Sequence, residues 1–164
     1  MPSALAPTDE TFLYAAPKRF VRTFAIARPA AEVWADLTAP NALGWCRMVA
    51  GDGVEWTSEP PFGVGTTRRA RVLGGLLAVD ERYVVWEEGR RKAFGGDAVN
   101  LPLIKRIAED YVVEPDGPDA CRFTWTIAVE PTAIGRPGGP LNAAVFRSMF
   151  KDTERHYSAD VLPG

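Results

Sequence analysis

The feature that most constrains this chain is the order of its periodic segments. One strand and a short proline-started helix come first, then a run of strands separated by turn residues, then one long amphipathic helix. Strands that follow one another through short turns pair antiparallel, because parallel neighbours need much longer crossovers. Such a sheet has a face to bury, and the last helix carries the apolar stripe that matches it. A single helix closing a curved sheet leaves a space between the two, either packed solid or open to a ligand.

The first strand begins at Phe20, with Phe20, Arg22, Phe24 and Ile26 on one face and Val21, Thr23 and Ala25 on the other. Arg22 on the apolar side leaves its register open. Pro29 suits the first turn of a helix, where its missing N–H costs nothing, and Val33, Trp34 and Leu37 then share one side up to about Pro40. Residues 41–45 fit one more helical turn. Strand-type runs follow at 54–57, 66–73, 77–87, 91–94, 107–114 and 122–130, the last two joined by a tight Asp116-Gly117-Pro118-Asp119 connection. In the final run Phe123, Trp125, Ile127 and Val129 point one way, while Arg122, Thr124, Thr126 and Glu130 point the other. After a Gly/Pro-rich link at 135–140, a helix from Leu141 to about Asp160 puts Val145, Phe146, Met149, Phe150, Thr153 and Tyr157 on one stripe. Arg147, Lys151, Glu154 and Arg155 lie opposite. Residues 1–18, with three prolines and little periodicity, read as an N-terminal arm that Phe12, Leu13 and Tyr14 would pin to a single domain at 19–164.

Bulk composition narrows the function by exclusion. At 164 residues the chain buries a core without staples, and a net charge of -2 offers no footprint for a phosphate backbone. The clusters Arg68, Arg69 and Arg71, and Arg90, Arg91 and Lys92, read as a solvated sheet face, so no nucleic acid partner is expected. Cys46 and Cys121 lack the paired spacing of a metal or redox motif and read as free buried thiols. His156 is the only histidine, too few to build a zinc site, and reads as packing near the end of the last helix. No metal and no cofactor are expected. The N-terminus lacks a basic segment followed by an apolar one, and no apolar run approaches the ~20 residues of a membrane span, so a cytoplasmic protein without stable membrane insertion is expected. Gly63-Val64-Gly65-Thr66-Thr67-Arg68 lacks the third glycine of a dinucleotide loop and runs into a strand. Ser58, Ser148 and Ser158 have no elbow or histidine partner.

The residues with chemistry lie on the strands. Glu81 is in phase with Leu77, Val79, Tyr83 and Val85, which makes it an inward carboxylate in need of a partner, with Arg68 at hand. Tyr83, Tyr111, Trp56, Phe94 and Trp125 line the enclosed space if the alternation holds, and Phe146 and Phe150 face it from the last helix. The register around 107–113 is open by one residue, which would exchange Glu109 and Tyr111 for Asp110 and Val112.

Several phrases stand in a familiar order: Arg28-Pro29-Ala30-Ala31-Glu32-Val33-Trp34, Phe62-Gly63-Val64-Gly65-Thr66, Asp80-Glu81-Arg82, Tyr111-Val112-Val113-Glu114-Pro115 and Phe123-Thr124-Trp125. Over roughly 19–161 the chain resembles the START-like, polyketide-cyclase and lipid-transport superfamily. That resemblance implies an α+β helix-grip fold, a seven-stranded antiparallel curved sheet wrapped around a long C-terminal helix, with two short helices after the first strand. It also implies a pocket rather than a reaction. Glu81 matches a position whose carboxylate enters the pocket in the hormone-receptor branch. Gly74-Gly75-Leu76-Leu77 falls where that branch has its mobile gate, without the receptors' proline and without a match to their latch loop. Three readings stay open. The first is a monomer or homodimer that binds or carries a small hydrophobic, lipid-like or polyketide-like molecule. The others are a cyclase, aromatase or dehydratase moving protons through Glu81, Tyr83 or Tyr111, and a protein-interaction module with a filled core.

Overall fold

The computed structural model describes residues 2–51 and 53–158. Its strands are β1 (Ser3–Ala4), β2 (Lys18–Ile26), β3 (Glu55–Trp56), β4 (Thr67–Val72), β5 (Leu77–Glu87), β6 (Arg91–Val99), β7 (Ile104–Pro115) and β8 (Cys121–Pro131). The helices are α1 (Glu10–Ala15), α2 (Ala30–Thr38) and α3 (Gly139–Ser158). Asp160 and Val161, where the sequence places the end of the last helix and of the resemblance, lie outside the described residues.

The sheet is antiparallel, in the order β2-β8-β7-β6-β5-β4-β3, with β1 added to β6. It curves around α3. Arg22 stays on the face shared with Phe24 and Ile26. It is tolerated there because β2 is an edge strand and Glu154 of α3 reaches it at 2.7 Å. The β7–β8 register runs without a shift from Arg106 to Pro115, with Tyr111 opposite Trp125 and Val113 opposite Phe123. This settles the ambiguity at 107–113. Ile107, Tyr111 and Val113 join the main core and Glu109 stands inside among them, while Asp110 turns outward to Arg91 at 3.0 Å. Residues 41–45 form turns instead of a second small helix, with Leu43 left-handed at φ 62°.

Two expectations require correction. The outer face of the sheet is not wholly solvated. Helix α1 starts at Asp9, whose carboxylate caps the Phe12 N–H at 3.1 Å, and lays Phe12 and Leu13 over Ala93, Ala108 and Ala128 in a second small core. Alanine at three adjacent strands is what lets a short helix approach this closely. Nor are Arg68 and Lys92 part of a solvated face. Strand alternation turns both inward, while Arg69 and Arg71 pair outside with Asp80 and Glu55.

The segment before α1 is threaded into the sheet. Leu5 N–H donates to the Asp97 carbonyl and Ala6 N–H to the Lys105 carbonyl, so the chain bridges β6 and β7 where the two separate. Gly95 and Gly96 make room. A Cβ on Gly96 would come within 2.6 Å of Leu5 and 2.7 Å of Ile107, and one on Gly95 would meet the Thr8 side chain. Residues 3–15 therefore add to the folded body, and Leu13→Ala should lower stability by about 2–5 kcal/mol in urea unfolding, as for a buried leucine in the main core. A loss below about 1 kcal/mol would mean that α1 is a loose arm.

Candidate functional site

Between the sheet and α3 lies a small cavity of about 60 Å³ that opens in part toward solvent. Apolar residues make most of its wall, among them Val72, Leu77, Val79 and Ile107 from the sheet and Val145 and Met149 from α3. The turn between β4 and β5 contributes Leu73, held left-handed at φ 56° just before Gly74 and Gly75. Four polar side chains reach the wall: Arg68, Glu81, Glu109 and Asn142.

Three of these form one buried cluster. Arg68 and Glu81 stand opposite each other on β4 and β5, and Arg68 Nε donates to Glu81 Oε2 at 2.6 Å, with both side chains almost wholly buried. The guanidinium lies over the Phe94 ring at 4.1 Å from its centroid. Glu109 accepts from the Tyr111 hydroxyl and from Trp125 Nε1, both at 2.8 Å and both on Oε2. Lys92, fully buried on β6, donates to the Leu37 carbonyl at the end of α2. Its ammonium nitrogen sits 5.2 Å from the Tyr111 ring centroid and 5.5 Å from those of Trp56 and Tyr83.

Burial dominates the titration of these groups. It pushes Glu81 up to about 7, with Arg68 opposing and Glu109 reinforcing the rise. Burial also raises Glu109, against Arg68 and the two hydrogen bonds from Tyr111 and Trp125. For Lys92, burial and then the Arg68 charge press its pKa well below the usual lysine range.

The structure divides the residues singled out from the sequence. Arg68, Glu81 and Phe146 line the cavity. Tyr83, Tyr111, Phe94 and Trp125 lie beside it in a packed aromatic layer, with centroid separations of 5.2 Å for Tyr83–Phe94, 5.7 Å for Phe94–Tyr111 and 5.2 Å for Tyr111–Trp125. Phe150 packs edge-on against Trp125, and Trp56 stacks on Tyr83. The layer's role is to floor the polar cluster and to hold Glu109 through Tyr111 and Trp125. Neither Lys92 nor Asn142 carries a site signal of its own in the sequence, and Glu109 is tied there to the register around 107–113. Lys92 is detectable only as an in-phase neighbour of Phe94.

His156 lies apart from the cavity, stacked on Trp45 at 4.2 Å with Nε2 3.5 Å from Asp36. Cys46 is buried against Thr153 and the Met149 carbonyl, and burial pushes its thiol up to about 12. No group of His, Cys, Asp and Glu among the described residues is placed to hold a metal. No helix among them is long and apolar enough to cross a membrane.

A curved antiparallel sheet gripping a C-terminal helix beside a mostly apolar cavity is a START-type, helix-grip fold. The polyketide cyclase/dehydrase and lipid transport family matches residues 17–156, and the chain belongs to it. A Mycobacterium tuberculosis protein of uncharacterised function is 32% identical over 154 residues, covering 91% of this chain and 90% of its own. Among solved structures, a START superfamily protein from Mycobacterium smegmatis superposes with a TM-score of 0.68 at 14% identity, over 86% of this chain and 97% of that one. The ginseng major latex-like protein 151 from Panax ginseng does so at 0.64 and 16%, over 89% and 98%. These two likenesses concern the fold.

The buried pair has measurable consequences. Arg68→Ala leaves Glu81 unpaired and should cost about 3–5 kcal/mol, whereas the double change Arg68→Met with Glu81→Leu should recover most of that loss in a double-mutant cycle. Because folding raises the Glu81 pKa from 4.5 to about 7, the folded chain holds this proton more tightly than the unfolded chain between those values. The associated stability is present in full below about pH 4.5 and is lost as pH rises through about 7. Urea midpoints over that window should fall with rising pH, and the slope should flatten in the double variant.

Proposed function

We propose that the protein binds and carries a small hydrophobic molecule held in the cavity between the sheet and α3. The observation supporting this reading is the pairing of a largely apolar wall with one buried polar cluster. Apolar lining supplies affinity by removing ligand surface from water, and a few convergent polar groups fix the orientation. The family to which the chain belongs supports the ligand-binding role. An interaction module with a filled core is disfavoured by the open space. A monomer or homodimer in the cytoplasm, with no nucleic acid partner, accords with this reading. Each basic residue of the two arginine-rich clusters has a neighbouring carboxylate or lies in the interior.

Native mass spectrometry of the purified protein, followed by denaturing extraction, tests this directly: a co-purified apolar molecule is the expected result. Ala70, which lines the cavity from β4, gives the matching control. Ala70→Phe should fill the space and weaken binding of a neutral naphthylamine dye by at least about tenfold, with the melting temperature nearly unchanged. Equal dye affinity in both proteins would overturn the cavity as the binding site.

A second reading, proton transfer to a folded polyketide-like chain, is favoured by one observation: a carboxyl titrating near neutrality beside the cavity. It requires that Glu81→Gln keep product binding and lose turnover.

A further inference from the structure

The polar cluster constrains the ligand's chemistry beyond its being apolar. Arg68 and Lys92 are set against Glu81 and Glu109, two cations against two carboxyls, all nearly or wholly buried. Both cations lie within 6 Å of the Tyr83 and Tyr111 ring centroids, so the four groups act on one another. The set is electroneutral when all four are ionised. It is also electroneutral when a proton passes from Lys92 to a carboxyl. Any charged ligand end brought into this site unbalances it in a medium that solvates the excess poorly. A carboxylate would face Glu81 and Glu109, and an ammonium would face Arg68 and Lys92.

The hydrogen-bonding valences left over are specific. Tyr111 and Trp125 both donate to Oε2 of Glu109, and Oε1, on a residue that lines the cavity, takes no hydrogen bond among the described residues. Burial raises Glu109, while the two donors converging on Oε2 and the Arg68 charge favour its ionised form, in which Oε1 is an acceptor. Arg68 donates from Nε to Glu81 and also has the Tyr83 hydroxyl as a hydrogen-bonding neighbour, which leaves further N–H groups of the five on its guanidinium as donors at the same wall. The simplest uncharged group that meets an acceptor and a donor from a single atom is a hydroxyl.

We propose that the ligand enters polar end first with a neutral hydroxyl, an alcohol or a phenol, which donates to Glu109 Oε1 and accepts from the Arg68 guanidinium. This deepens the reading of the cavity as a small-molecule site and rests on it. Fatty acids and long-chain amines are excluded as preferred ligands.

Displacement of a neutral naphthylamine dye at about pH 8 by four probes of one chain length tests the proposal: decanol, methyl octyl ketone, decanoate and decylamine. Decanol should displace at roughly tenfold lower concentration than either charged probe and several-fold lower than the ketone, as expected for one charge-assisted hydrogen bond. Glu109→Gln adds a second readout. Tyr111 and Trp125 retain the amide oxygen, so the NH₂ takes the place of Oε1 and presents a donor to the cavity. The several-fold decanol-over-ketone preference should then be lost. Tighter binding of decanoate or decylamine, or an alcohol preference unchanged in a folded Glu109→Gln protein, would overturn the hydroxyl assignment and leave the cavity reading intact. Failure of the dye and all four probes to bind the wild-type protein would overturn both.

Discussion

The Arg68–Glu81 ion pair is the constraint around which the interior is arranged. Moving two charges out of water costs several kcal/mol per ion, and their attraction offsets this only when the geometry is good and the remaining valences are met. Here the pair spans adjacent strands at 2.6 Å, and the guanidinium has an aromatic face beneath it. Packing alone would be served as well by two leucines. An ion pair kept at the wall of a cavity is what a recognition site needs and a core does not.

The aromatic layer follows from that requirement. A buried carboxylate needs donors, and Glu109 has two, both carried by rings that also pack: Tyr111 beside it on β7 and Trp125 across on β8. Rings supply large contact area with few rotatable bonds, so they fix the carboxylate without needing a polar shell of their own. Lys92 lies near the rings of Tyr111, Trp56 and Tyr83 and donates to the Leu37 carbonyl, which ties the end of α2 to the centre of the sheet. The interior thus has a rigid packed half, the rings, and an apolar hollow half enclosed by aliphatic side chains and α3. On the proposed reading, specificity would reside at their boundary.

The fold was legible because its signals are periodic. Alternation in β8 fixed Phe123, Trp125, Ile127 and Val129 inward, and the 3.6-residue stripe of α3 fixed Val145, Met149 and Tyr157. What escaped was aperiodic. Helix α1 is six residues long, too short to show a period, and its docking platform is written only as Ala93, Ala108 and Ala128 on three different strands. Gly95 and Gly96 fall just past the strand run at 91–94 in the sequence, yet they are where Leu5 and Thr8 cross β6. The site was legible in part. Glu81 and Arg68 follow from alternation alone, whereas Lys92 was obscured by two preceding arginines that made the run look like a solvated surface. Charge composition is a property of a segment, while burial is a property of every second residue.

Fold and site also carry different amounts of information. Proteins that share 14% to 16% identity with this chain share its architecture. A sheet gripping a helix needs only apolar residues at the correct period, and many sequences meet that condition. The cluster is more demanding. Removing any one member leaves an unmatched charge, so single changes are costly and only concerted ones are tolerated. Variation of the aliphatic wall would alter the size and shape of the ligand accepted. Variation of Arg68, Glu81, Lys92 and Glu109 would have to proceed in compensating pairs, and each such pair would redefine the polar group that the cavity receives.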